Sequence, residues 1–323
     1  MTPVKKLLNK LNGLHYAREY LCFDNDVFSH PLHVYLVSEL QTVKDITNQH
    51  LFLGYAPLVF AIPAEPGEEF AEQIRLIFSN ENYEPGNKIL VKDIIAALDL
   101  KIIKKGDAGN KTIFYYEGLK GIHFFLSPFH RFINNLNNQL FNKRPGNVFL
   151  NNNLYKQVQI AYSIPRIIST ITVSDNGLFN LFPADLHGSA GIEHYLISLR
   201  VGGSACEQVI RAGKLLLAGV EPVAYKTVYA LGKNHMMALR PEENFPFSQS
   251  LSPNLHLPLP EFAVRYKELL MVDSFTKGIH HIMLFKTIHE KTLQTEPGTL
   301  AHIHNSYASW RFKKNLQSNY LLF

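Results

Sequence analysis

Residues 167–182 carry the pattern that most restricts how this chain can fold. From 167 to 173 isoleucine and valine alternate with serine and threonine, Asp175-Asn176-Gly177 follows, and the apolar pattern resumes over 178–182. Asp or Asn ahead of Gly suits the positive φ values of a tight turn, so the stretch reads as a β-hairpin. Further strands are expected at 194–199, 214–220, 224–231, 280–288 and 306–312. Helices in this half are expected only after Ser204 and over 261–270, where Phe262, Tyr266, Leu269 and Leu270 align. Many strands with few helices make an antiparallel barrel or sandwich.

The first half mixes the two periodicities. Leu7, Leu8, Leu11 and Leu14 recur at helical spacing behind Lys5 and Lys6, and 51–62 is extended up to Pro63. Pro66, Gly67, Glu68 and Glu69 then open an expected helix with Phe70, Ile74, Ile77 and Phe78 on one face. A shorter helix is expected over 93–98, and strands over 112–116 and 122–126. Ser127 and Pro128 suit the N-cap and first position of a helix whose Phe129, Phe132, Ile133, Leu136 and Leu140 share a face. It ends at Lys143-Arg144-Pro145-Gly146, and three asparagines from Asn151 follow, which places a domain boundary near residue 150. The expected organisation is an N-terminal α+β domain over 1–150 and a second domain over 151–323, with no internal repeat discernible in the sequence.

With 46% hydrophobic residues in 323, the chain can bury a substantial core. No apolar run reaches the roughly 18 to 20 residues that span a bilayer, so no membrane partner is expected. The net charge of +5 is scattered without a Lys/Arg run, which argues against a nucleic-acid partner. Cys22 and Cys206 stand far apart, so neither a disulfide framework nor a zinc-thiolate site is expected, and the pair suits a reducing cytoplasm.

Residues 200–213 combine Arg200, the glycines Gly202 and Gly203, a Ser204/Glu207 capping box and Gly213 at the helix end. Free N–H groups at a helix start, a nearby cation and backbone without a Cβ suit a phosphate; they equally suit a tight strand-to-helix turn. The order of features decides what they resemble. Ile164-Pro165, the strand 167–173, Asp175-Asn176-Gly177, Asn180, then 197–200 with Ser204 and Ile210, the strand 215–220 and Gly278-Ile279-His280 resemble the flavin reductase-like FMN-binding split-barrel family over residues 155–312. Ile279 stands where that family usually has Asp, and 181–186 lacks its Ser/Thr-rich character.

The resemblance implies an α+β chain whose C-terminal part is an antiparallel split β-barrel binding FMN, with NAD(P)H as electron donor and a homodimer placing flavin near the subunit interface. It further implies that Arg200 and Ser204, with the amides around Gly202 and Gly203, hold the FMN phosphate. Asn180, Pro183, Ala184, Asp185, His187 and Gly188 would pass along the flavin ring, and His280 would lie near it. In such a reductase the cofactor carries the hard chemistry, hydride passing from nicotinamide to flavin, and no acid–base triad is required. A flavin-binding or electron-relay protein without turnover is the alternative. A third reading rests on His302 and His304, two apart on an expected strand with His280, His281 and His289 nearby in sequence, as metal ligands. No G-x-G-x-x-G or P-loop spacing is present.

Overall fold

The computed structural model describes residues 10–15, 20–24, 32–38, 41–141, 148–294, 298–316 and 320–321. Most of the amphipathic helix expected over 5–14 lies outside them. Two seven-stranded, wholly antiparallel sheets dominate, and their strands are numbered β1–β14 here. The first comprises β1 (His33–Ser38), β2 (Gln41–Asp45), β3 (Leu51–Tyr55), β4 (Leu58–Ala64), β5 (Gln73–Ser79), β6 (Ile94–Ala108) and β7 (Lys111–His123). The second comprises β8 (Ser169–Asp175), β9 (Leu178–Ala184), β10 (His187–Ser189), β11 (His194–Arg200), β12 (Lys214–Val220), β13 (Ala263–Lys277) and β14 (His280–Thr292).

Strand order is 2-1-5-6-7-4-3 in the first sheet and 9-8-12-13-14-11-10 in the second. Every strand of one sheet thus has its counterpart seven places later, a repetition of topology that the sequence conceals. Lengths agree where they are most unusual: β6 and β13 have 15 residues each, β7 and β14 have 13. The irregularities agree as well. Bulges interrupt the β6/β7 ladder at Asp99/Leu100 and Ile102/Lys104, and the β13/β14 ladder at Glu268/Leu269 and Met271/Asp273. A bulge bends a strand and increases its twist, so the paired bulges bend both sheets alike.

Among the described residues the longer helices are α1 (Pro128–Phe141), α2 (Asn152–Ala161), α3 (Ser204–Ala212), α4 (Tyr225–Ala230) and α5 (Asn305–Lys313). A minor sheet pairs Tyr20–Asp24 with Thr299–Ile303 and the latter with Arg166–Ile167. Among the described residues no helix is long and apolar enough to cross a membrane.

Alternation along the strands builds three cores. On β11 and β14, Ile197, Leu199, Met283 and Phe285 face the second sheet's own core. Their neighbours Leu196, Ile282 and Leu284 join Leu53, Val59, Ala61, Ile113 and Tyr115 of the first sheet in a shared seam. Phe60, Ile62, Phe114 and Tyr116 turn the other way, into the first half's core. The period of two therefore sorts each strand between its own layer and its neighbour's.

Several expected elements differ. The helix expected from Pro66 is a turn followed by β5, where Ile74, Leu76 and Phe78 are buried and Arg75 is exposed, a period of two that happens to share residues with a helical one. The expected helices at 93–98 and 261–270 are parts of the long strands β6 and β13. Conversely, 224–231 is helical through α4, and 306–312 lies in α5, capped by the His304 ring accepting from the Ser306 N–H. The helix after Ser127 is present, but Phe129, Phe132 and Leu136 are exposed while Asn134 and Asn138 are buried. It docks through amide side chains that donate to the Asn12 and Leu150 carbonyls.

Candidate functional site

A cavity of about 800 Å³ opens at the seam, between β3 and the loop before it in the first half and β10 to β14 in the second. Its floor is apolar and aromatic: Leu51 and Phe52 from β3, Tyr195 from β11 and Leu217 from β12. Beside them stand Arg265 and Lys267 on β13 and Lys291 on β14; Lys267 is the ladder partner of Leu217, and its Nζ lies 5.9 Å from the Tyr195 ring centroid. Residues two apart on a strand share a face, so β13 presents both of its cations to the same space. Gly219 makes room for one of them, since a Cβ there would lie 2.8 Å from Arg265 Cγ. Lys267 is ion-paired with Glu290 across the β13/β14 ladder.

The expected site residues fall into two groups. Asp185, His187 and Gly188 line the cavity. Arg166 Nη1 donates to Asp185 Oδ2, and His302 Nδ1 lies 3.3 Å from the same oxygen. Desolvation would raise the Asp185 carboxyl, but the Arg166 guanidinium and the His302 ring outweigh it and hold the group well below the usual carboxylate range. His187 Nδ1 lies 2.8 Å from the Tyr195 hydroxyl, and desolvation lowers its pKa to about 4 despite the neighbouring Asp185. At neutral pH the cavity therefore holds an ionised carboxylate and an uncharged imidazole.

The second group surrounds the start of α3. Gly203 is its N-cap and Ser204 its first residue, with no side-chain cap bond, so the expected Ser204/Glu207 capping box is not formed. Gly202 and Gly213 adopt positive φ of 81° and 62°, the second closing the helix as its sequence indicates. Residues 234–237 lie across this entrance. Asn180 donates to Gln208 and to the Asn234 carbonyl, Asn234 donates to the Leu181 carbonyl, and the His235 ring meets the Pro183 carbonyl at 2.7 Å. The His235 carbonyl stands 3.3 Å from where a Gly203 Cβ would be. Asn180 is fully buried by this arrangement, and Ala184 is buried beside it. Arg200 ends β11, opposite His280 in the ladder. His280 packs edge-on against Tyr55 of the first half at 4.6 Å, and its Nδ1 lies 3.2 Å from Ser198 Oγ.

The histidines considered for a metal disperse. His302 bridges Asp185 and the Tyr229 hydroxyl, His304 caps α5, His281 meets Thr276, and His289 meets Tyr266. Among the described residues no group of three or more His, Cys, Asp or Glu converges. Cys206 is buried and its thiol is pushed up to about 11 by desolvation, consistent with a packing residue. Trp310 stacks on Tyr307 within α5.

Sequence reasoning misses Arg166, Tyr195, Arg265 and Lys267. The signal for the last pair was their spacing of two, which a helical reading of 261–270 hides. It also misses the polar segment 234–237, whose partners are distant in sequence.

No protein-family profile and no curated relative matches the chain. Solved structures do. An FMN-binding protein from Thermus thermophilus, with bound p-hydroxybenzaldehyde, is 18% identical over 40% of this chain and 72% of its own, with a TM-score of 0.36. An NADH:FAD oxidoreductase from Streptomyces globisporus is 15% identical over 46% and 87%, TM-score 0.40. The flavin reductase PheA2 in its native state is 14% identical over 52% and 95%, TM-score 0.38. All three matches cover about half of this chain or less, with TM-scores of 0.40 or below.

Proposed function

We propose that the chain is a flavin reductase-like oxidoreductase that binds FMN in the seam cavity and takes electrons from NAD(P)H. The observation that carries this reading is the make-up of the cavity: apolar and aromatic side chains beside three cations, in a volume within the range of cofactor pockets. Such a space suits a flat ring with an anionic tail. Leu51, Phe52, Tyr195 and Leu217 would bury the ring, and Arg265, Lys267 and Lys291 would attract the phosphate. FMN, when bound, supplies the hydride-accepting centre. The start of α3, expected from sequence to hold the phosphate through Arg200 and Ser204, is the rival position on the same chain.

The alternative is a flavin-binding protein without turnover.

FMN titration followed by flavin fluorescence tests the reading. The double variant R265A/K267A is expected to weaken binding at least about tenfold, the scale of losing one to two charge-assisted contacts, while R200A/S204A leaves it within about twofold. The reverse pattern would move the phosphate to α3, and no uptake by the wild-type chain would sink the flavin reading. Bleaching of bound flavin by NADH or NADPH marks a reductase; stable absorption marks the alternative.

A further inference from the structure

The repeated topology extends to individual residues. The matching bulges align Asp99, Leu100, Ile102 and Lys104 with Glu268, Leu269, Met271 and Asp273. Ladder partners carry the alignment onward. Tyr116 corresponds to Phe285, hence Phe60 to Tyr195; Ala61 then matches Leu196, and their partners Leu51 and Gly188 match each other.

Two of these matched pairs touch. Lys104 Nζ lies 2.9 Å from Asp273 Oδ2, and a Cβ on Gly188 would lie 2.2 Å from Leu51 Cδ2. A residue meets its own equivalent only near a two-fold axis, so the halves face each other as an isologous pair does. The hairpin tips are reciprocal too. Gly109, in the β6–β7 turn, abuts His194 at the start of β11, and Gly278, in the β13–β14 turn, abuts Ala56 between β3 and β4. The axial pairs are complementary rather than identical: lysine meets aspartate and leucine overlies glycine. Two copies of the second half would set Asp273 against Asp273 there, an unfavourable like-charge pair.

The cavity has no twin. Tyr195, Leu217, Gly219, Arg265, Lys267 and Glu290 border it, and the ladder gives their counterparts as Phe60, Leu76, Phe78, Ala96, Leu98 and Gly121. The first five are fully buried in one core with Val158, Ile160 and Ala161 of α2. A Cβ on Gly121 would come within 3.0 Å of both Gln157 and Ile160.

We infer that the first half is a diverged copy of the second that serves as a built-in partner subunit, walling the seam cavity with β3 while α2 fills the equivalent space in its own half. The count of one ligand per chain rests on the flavin reading above; the built-in partner does not.

Zero-length carbodiimide cross-linking of an equimolar mixture of ¹⁵N-labelled and unlabelled full-length chains decides the seam. Lys104–Asp273 and Lys277–Glu117, 2.6 Å apart, are expected to link within chains of one label only. Mixed-label links at these pairs, or no link at either, would overturn the built-in partner. Equilibrium dialysis of the same protein is expected to saturate at one FMN per chain, and two would overturn the filling of that equivalent space. No uptake would remove the flavin reading and the count together, with the cross-links still deciding the seam.

Discussion

Gly188 shows how one position can serve both the seam and the cavity. It borders the cavity, pairs with Leu196 and sits under the Leu51 side chain so closely that a single added methyl would stand 2.2 Å from Leu51 Cδ2. Its φ is not in the left-handed region, so the requirement is for space and not for backbone freedom. Overpacking of this kind costs about 1–3 kcal/mol when the neighbour cannot swing away. Leu51 Cδ2 is the end of a flexible side chain that borders the cavity and can turn into it, so Gly188→Ala is expected to lower stability by about 1 kcal/mol or less in urea unfolding. Adding Leu51→Ala should recover part of the loss, because the two residues are in contact and their effects are coupled. Simple additivity of the two single variants would show that the contact does not constrain the seam.

At the level of elements, what could be read from sequence depended on whether the information was local. The hairpin β8–β9 forms with Asn176 and Gly177 at positive φ, as Asp175-Asn176-Gly177 indicates, and α3 ends at a left-handed Gly213. These features are encoded within a few residues. The long strands β6 and β13 were not legible as strands throughout, because both are bulged and Phe262, Tyr266, Leu269 and Leu270 satisfy a helical period by coincidence. Of the eleven expected site residues, Asp185, His187 and Gly188 border the seam cavity, whereas Arg265 and Lys267 beside them come from β13, which only the tertiary pairing reveals as a strand. The repeat is hidden for a related reason: matched positions keep register but exchange chemistry, as Lys104 and Asp273 do. Helix α2 carries the clearest consequence at this scale. Ile160 is fully buried against the first sheet, so Ile160→Ala should destabilise the chain by about 2–5 kcal/mol, measured by thermal or urea unfolding. A loss below about 1 kcal/mol would mean that α2 does not pack as a plug.

For the whole molecule, the seam and the plug place three histidines where charge is unwelcome. His123 meets Gln159 of α2 at 3.0 Å, His187 borders the cavity, and His280 packs on Tyr55 across the seam. Desolvation is the main cause in each case, reinforced by Arg200 for His280, and each pKa is lowered to about 4. In the unfolded chain these groups titrate near 6.5. Between about pH 6.5 and 4 the unfolded state therefore binds protons that the folded state does not, and stability falls as the pH falls through that window. Below about 4 both states are protonated at these positions and their contribution levels off. One group changes stability by at most about 1.4 kcal/mol per pH unit, so three give a limiting slope of about 4. Urea midpoints at pH 7, 5.5 and 4.5 should drop progressively. His50, His235 and His281 are lowered by burial as well, so His187→Asn should remove only its own share of the slope, at most about 1.4 kcal/mol per pH unit, while leaving the pH 7 value comparatively little changed. His280 joins the two halves, His123 joins the first sheet to α2 and His187 borders the cavity between the halves, so acid is expected to loosen the seam before it unravels either sheet. Hydrogen exchange at pH 5 should then show protection lost first in β3, β10 and α2, and uniform loss across both sheets would refute that order.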